Sequence, residues 1–421
     1  MLYPPVADLG RRNRVAFVLT FAAIATIGSG GTVLIALFGA WALISIVVGR
    51  LPFRLSRSDW PVALSCLVFP LVLVATNLLQ TPPLDVAAKS LPLLTFLIPV
   101  FLIARMRMTE PAEVLPAAFL GAAIGGLVLL PLVIGEAVIW GDRVAVFAGN
   151  PGPFSVTSLF IAGLAALHLS KDRALSGNLL ALAGCFGASL AVVLSGMRGS
   201  WVALPIVLAV AAVARRAVII DLWRAVDSRR RLAVVAAAAG CLILAGALAV
   251  PAITARIAIL ESDLSLLETD VTAPTSLNLR RNIYWGSIKA FAERPLTGYG
   301  MSHEWAAITP YFEEPSFKAF EFSHLHNVFL TVAIDAGIFG IAALIFVIGA
   351  PLWIAWHTRD RIGGGDRAAY ALILVAAFLI PGMTNLMFFH DILDAVWVFA
   401  AATLCASVPV PRLQASEGAT P

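Results

Sequence analysis

RRNIYWGSIKAFAERPLTGYG (residues 280–300) and FSHLHNVFL (322–330) frame the end of one long polar segment in a chain that is otherwise dominated by apolar runs. The chain has 421 residues, 60% of them hydrophobic and 13% charged. A soluble globular chain carries roughly 25% charged residues, so the composition predicts an integral membrane protein. The four cysteines fall in apolar runs without metal-ligand spacing and read as core thiols.

Working outward from that stretch, a membrane span needs about 20 apolar residues. By that measure the spans are 14–30, 32–49, 60–79, 87–104, 114–135, 154–170, 178–196, 200–214, 232–252, 326–355, 367–387 and 392–408. Arg11, Arg12 and Arg14 before the first run resemble a signal-peptide start, but the spans that follow favour a retained first helix. The expected fold is all-α and polytopic, with about twelve transmembrane helices. It divides into transmembrane helices 1–9 (residues 1–252), a long outer loop (253–323), transmembrane helices 10–12 (324–408) and a tail (409–421).

The basic residues test this topology. With the amino terminus cytoplasmic, 20 of the 29 Lys and Arg residues fall on inside segments, as the positive-inside rule requires. The short outer loops hold Lys89, Arg143 and Arg198, and the long loop holds the other six. Both termini are therefore expected in the cytoplasm. The basic charge is topological, and nothing in it calls for nucleic acid.

Basic residues in short outer loops need an explanation. Arg143 precedes the turn signal Asn150-Pro151-Gly152-Pro153, and reads either as a snorkelling interfacial arginine or as part of a site. Arg198 lies in SGMRGSW (195–201) between Gly196 and Gly199, which permit close approach of a ligand. Few polar groups neighbour it, which points to an anionic partner.

Within the long loop, acidic residues come first (Glu261, Asp263, Glu268, Asp270) and basic ones follow (Arg280, Arg281, Lys289, Arg294), with TAPTS (272–276) as a hinge. Residues 277–292 suit an amphipathic helix at the membrane surface. One stripe carries Arg281, Trp285, Ile288 and Ala292, and its neighbour carries Arg280, Tyr284, Ser287 and Phe291. Its arginines either touch lipid phosphates or grip the phosphate of a lipid-linked substrate with their planar forks; spacing leaves both readings open. Pro295, Gly298 and Gly300 stop the helix.

Ser323 is a suitable N-cap for the tenth span, which would put His324 and His326 in its first turn. On a helix they would face about 200° apart, so one of them at most would enter a given site. The positive helix end keeps a histidine there neutral, as a general base requires. No third ligand sits at metal-site spacing. Asp335 lies about 18 Å further along that helix, where Gly337 and Gly340 suggest a structural partner for it. His390, Asp391 and Asp394 are candidates for the same cavity, and His303 and Glu304 are unassigned.

SGMRGSW, Arg281 four residues before Trp285, RPLTGYG (294–300), HLHNVFL (324–330) and DAGIFG (335–340), in this order, resemble the signatures of the O-antigen ligase and polymerase superfamily. The resemblance implies an inverting, metal-independent glycosyltransferase of the bacterial inner membrane that uses no cofactor and no nucleotide. Its active site would be periplasmic. The implied donor is a glycan on undecaprenyl pyrophosphate, and the implied acceptor for a ligase is a sugar hydroxyl of lipid A–core, in lipopolysaccharide biosynthesis, among membrane lipids. Arg198 and Arg281 match the family's pyrophosphate-binding arginines, with Arg143 a looser match and Arg280 adjacent. The histidine pair matches the HxHN-type signature, with His326 the expected base and His324 the alternative. Polymerases of the superfamily often space Arg and Gly by ten residues. Phe154 and Ala209 stand at those positions here, which favours a ligase. A transporter or flippase would instead show two related halves and polar residues deep in several spans.

Overall fold

A computed structural model describes residues 6–80, 83–140, 143–270, 272–320, 322 and 324–410. Among them the regular structure is entirely helical. The chain runs through α1 (Val6–Ala23), α2 (Ser29–Val47), α3 (Trp60–Leu78), α4 (Pro83–Ser90), α5 (Ile98–Met106), α6 (Pro111–Trp140), α7 (Pro151–Leu167), α8 (Leu175–Leu194) and α9 (Arg198–Ala214). It continues through α10 (Arg216–Ala225), α11 (Ser228–Thr269), α12 (Ser276–Glu293), α13 (Glu304–Ile308), α14 (Val328–His357), α15 (Gly364–Gly382) and α16 (Asp391–Ala406).

Helix occupies each of the twelve stretches read as spans. Among the described residues, eight helical segments are long and apolar enough to cross a membrane, or nine if α9 and α10, bent by 69°, count as one. Those that fall short do so for different reasons. α1 carries Arg11, Arg12 and Arg14 within its 18 residues. α7 has only 17 residues. α16 has only 16, but every residue from Ile392 to Ala406 is buried, so other helices rather than lipid surround it. Cys66 and Cys405 are buried as expected, whereas Cys241 on α11 is exposed.

Between apolar helices, lipid tails compete equally well for contact, so association depends on close packing. α6 and α8 show this directly. A Cβ on Gly126 would lie 2.1 Å from the Gly184 carbonyl oxygen, so only glycine lets these backbones meet. Ion pairs tie the ends of the bundle: Arg107 binds the fully buried Asp59, Ser56 and the Val408 carbonyl, and Arg215 pairs with Asp366 at 2.6 Å.

The segment expected as an outer loop after residue 252 begins as helix. α11 runs on without a break past Pro251 to Thr269. After it, Thr275 caps α12 by accepting from the Asn278 amide at 3.1 Å. The segment then builds a small core of its own from Ile283, Ala290, Ile308, Phe312, Phe317 and Leu325. Because α12 faces this core, its stripe of Arg281, Trp285, Ile288 and Ala292 is the exposed one, and Arg280, Tyr284, Ser287 and Phe291 turn toward the protein.

α14 is broken at Gly337, whose φ is +62°. The RPLTGYG turn fills the break. The Tyr299 amide donates to the Ile334 carbonyl at 2.7 Å, that of Gly300 to Asp335 at 3.0 Å, and that of Ile338 to Pro295 at 2.8 Å. Backbone groups freed inside a membrane protein need such partners. Both chains must be bare to approach this closely: a Cβ on Gly298 or on Gly337 would lie 2.3 Å from the carbonyl oxygen of Ile334 or Leu296, respectively. Asp335 sits buried beside this break, close to Glu304.

Candidate functional site

The tenth span is capped one turn later than the sequence suggests. Asn327, not Ser323, is the N-cap of α14, and its Oδ1 accepts from the Phe329 and Leu330 amides at 2.9 and 3.2 Å. Ser323 lies outside the described residues. Both histidines therefore precede the helix, and the helical argument that they diverge does not apply. His326 takes a left-handed φ of +52°, uncommon for a residue with a Cβ. That turn brings the two rings to 4.5 Å between centroids, so both face the same site.

Two other segments, α12 and the link at 383–385, hold this turn. Tyr284 of α12 donates to the His326 carbonyl at 3.2 Å and to that of Met383 at 3.5 Å. Asn327 Nδ2 donates to the same Met383 carbonyl at 3.1 Å. His324 Nε2 lies 3.3 Å from Asn385 Oδ1. Asn385 in turn lies against Gly152 in the first turn of α7, and Thr384 against Gly199 in the first turn of α9. The link Met383-Thr384-Asn385 thus touches the amino-terminal turns of α7, α9 and α14. Helix amino termini present free N–H groups and a partial positive charge, which suit an anion.

Arginines approach the same place. Arg198 opens α9. The half-buried Arg280 comes within electrostatic range of Arg198, Tyr284, Asp263 and His326. Burial lowers its pKa and Arg198 adds to that, against the stabilising charges of Tyr284 and Asp263. Arg143 donates from Nε to the Ser195 carbonyl at 3.1 Å. With Arg256 of α11 it flanks Gly196, and both line a cavity of about 460 Å³ between α11 and the ends of α6 and α8. Arg281, on the exposed stripe, instead pairs with Glu313 at 3.0 Å on the surface.

Both histidines are kept neutral. Burial lowers the His326 pKa to about 4, helped by the neighbouring His324 and Arg280 and opposed by a hydrogen bond to Asn385. Burial also lowers that of His324, with His390 adding to the effect and Asn385 opposing it. Lone pairs on unprotonated imidazoles beside guanidinium groups can accept a proton while an anion is bound close by. His390 caps α16 through the Ile392 amide at 3.3 Å, and Asp394 accepts from the Phe389 amide at 3.0 Å; both serve their own turn first. No group of three or more His, Cys, Asp or Glu residues able to hold a metal ion occurs among the described residues.

The sequence did not single out Asn385, Arg256 or Asp263. The only trace of Asn385 is a short polar break, Thr384-Asn385, between two apolar runs. Arg256 and Asp263 belong to a helix that sequence reading ended at residue 252.

Histidines and arginines thus gather where helices of a polytopic membrane bundle begin. Residues 183–345 match the family model described as O-antigen ligase, a stretch that contains Arg198, Arg256, Arg280, Arg281 and both histidines. Over that stretch, which is less than half of the chain, the match supports a likeness to the O-antigen ligase and polymerase superfamily. Among curated proteins none matches significantly.

Proposed function

We propose that this protein is an O-antigen ligase of twelve transmembrane helices in the bacterial inner membrane. Its site would be periplasmic, and it would transfer a glycan from undecaprenyl pyrophosphate to a sugar hydroxyl of lipid A–core. The observation that carries the reading is the convergence of three helix amino termini, Arg198 and Arg280 on a pair of neutral histidines.

In the reaction, His326 takes the proton of the acceptor hydroxyl, with His324 as the alternative base. The acceptor oxygen forms its bond to the anomeric carbon as the bond from that carbon to the lipid pyrophosphate breaks, which inverts the configuration. The leaving pyrophosphate carries the developing charge, and preorganised donors aimed at such charge lower the barrier. Arg198 and Arg280 fill that role here. Arg143 and Arg256, beside their cavity, would hold the donor further from the reacting carbon. Arg281 is the family's motif arginine by spacing, yet it faces Glu313, so in this chain Arg280 takes the inner position. Neither a metal nor a nucleotide is required, since the donor already carries a good leaving group.

A reconstituted transfer assay tests this. Purified protein is supplied with undecaprenyl-pyrophosphate-linked glycan and lipid A–core, without nucleotide or added metal. Glycan arriving on lipid A–core, and lost in His326→Ala and Arg280→Ala, supports the ligase. Longer undecaprenyl-linked chains would make the protein a polymerase instead. Substrate accumulating in vesicles with no new bond would replace both with a transporter.

A further inference from the structure

α9 begins with Arg198 near the histidines and ends 17 residues later, about 25 Å away at 1.5 Å per residue. There the chain turns by 69° into α10. The next helix, α11, starts at Ser228. α10 is thus a bar of 10 residues between the ends of two apolar helices. At about 15 Å it is too short to cross a bilayer, and it carries Arg216, Asp221 and Arg224.

Both ends of the bar are tied down. At its start Arg215 donates from Nε and Nη2 to the Leu167 carbonyl at 2.9 and 2.6 Å, at the end of α7, and pairs through Nη1 with Asp366 of α15 at 2.6 Å. At its other end Arg231, in the first turn of α11, donates to the Val226 and Arg224 carbonyls at 2.8 and 3.3 Å, where a helix terminus favours a cation. Its guanidinium also lies 5.6 Å from the centre of the Trp223 ring. These contacts set the angle of α10 to α9. Ile219, Ile220 and Trp223 follow Arg216 by three, four and seven residues and so share a face with it. They are 41%, 46% and 45% exposed, and no residue of α10 is buried. Arg224 borders this face, four residues after Ile220, whereas Asp221 lies about 200° from both Ile219 and Trp223. Arg216 and Arg224 are exposed.

We propose that α10 lies flat in the headgroup layer and forms a docking surface for anionic phospholipids, independently of glycan transfer. Ile219, Ile220 and Trp223 enter the boundary of the acyl chains, and Arg216 and Arg224 reach the phosphates beside them. A helix with an apolar face edged by arginines is suited to that plane, and tryptophan favours that depth. α9 and α11 run into the apolar bundle from the two ends of α10, which places its exposed face at the bilayer boundary. A zwitterionic surface would cover the apolar face but would bring a cation with every phosphate, whereas an anionic one complements the arginines. The same anchorage holds the end of α9 opposite Arg198.

Fluorine NMR of the full chain, labelled with fluorotryptophan and held in phosphatidylcholine nanodiscs, tests the surface. Trp223→Phe assigns the Trp223 resonance. With phosphatidylglycerol added, a lipid spin-labelled near its headgroup should broaden that resonance, and a water-soluble gadolinium chelate should leave it sharp. The resonance should also shift as the phosphatidylglycerol fraction rises. Arg216→Gln combined with Arg224→Gln should need roughly tenfold more phosphatidylglycerol for the same shift, because each arginine near an anionic surface contributes about 1 kcal/mol and tenfold corresponds to about 1.4 kcal/mol. Arg57→Gln, at an exposed position before α3, should leave the dependence intact. Should the double variant fail to fold, Arg224→Gln alone decides, with a change of roughly fivefold. Broadening by the chelate, protection from both agents (as a protein partner on this face would give), indifference to phosphatidylglycerol, or an unchanged dependence in a folded arginine variant would each overturn the proposal.

Discussion

Acid is the sharpest probe of the histidine pair. The perturbation is a fall in pH from 8 to 4, with Arg280→Gln alongside the native protein. His326 has its pKa lowered from 6.5 to about 4 by burial first, then by His324 and Arg280. Because the folded value lies below the ordinary one, the ring stays unprotonated and able to act as a base until pH approaches 4. At pH 5.5 an ordinary histidine is only about one-tenth neutral, while one with a pKa of about 4 is almost wholly neutral, roughly a tenfold difference in active base. The groups facing the ring are His324, Arg280 and Asn385, with His390 behind His324. The assay is the initial transfer rate at low donor, whose pH dependence reports the free enzyme. It is paired with an NMR titration of labelled histidines in the absence of donor, which needs no activity. The expected profile is flat from pH 8 down to about 5, with the acid limb near 4. Arg280→Gln should move the His326 titration part of the way toward 6.5, since burial, the larger cause, remains. An acid limb at 6.5 in the native protein, or a His326 titration indifferent to Arg280, would refute the reasoning.

The two adjacent arginines separate next: Arg280→Ala should cut transfer by about a hundredfold, the scale of a lost charge-stabilising donor. Arg281→Ala should cost less than about threefold and under about 1 kcal/mol of stability, because both partners of its ion pair with Glu313 are about half exposed; parallel rate measurements and thermal melts check this. Asn385→Ala removes the partner of His324 and should lower kcat by about tenfold with KM little changed, as steady-state kinetics would reveal. Gly298→Ala should destabilise by about 2 kcal/mol or more, because its Cβ would meet the Ile334 carbonyl at 2.3 Å; a lowered Tm or loss of the monodisperse peak is the readout.

Several features were legible in the residues alone. Apolar runs gave the approximate helix positions, because hydropathy is a property of each segment by itself. Three of the candidate-site arginines, Arg143, Arg198 and Arg280, and both histidines were visible for a related reason: a basic or titratable residue stands out where its neighbours are apolar. The amphipathic helix was also plain from its period, and Ser276–Glu293 is close to the range expected.

What the sequence left open depended on which surfaces meet. Two stripes of α12 each carry an arginine and aromatics, so periodicity could not say which one faces inward. The small core around Ile283 and Phe312 decided for Arg280 over Arg281. Ser323 and Asn327 are both good caps, and the choice between them changed the histidines from diverging to adjacent. Asn327 prevails because its side chain serves two helix amides and also reaches the Met383 carbonyl, and that carbonyl lies 56 residues away. Asn385 joins the site for the same kind of reason, since its contacts run to His324 and to Gly152. A sequence determines such local options through propensity and pattern, but long-range contacts select among them, and only the folded bundle brings those contacts together.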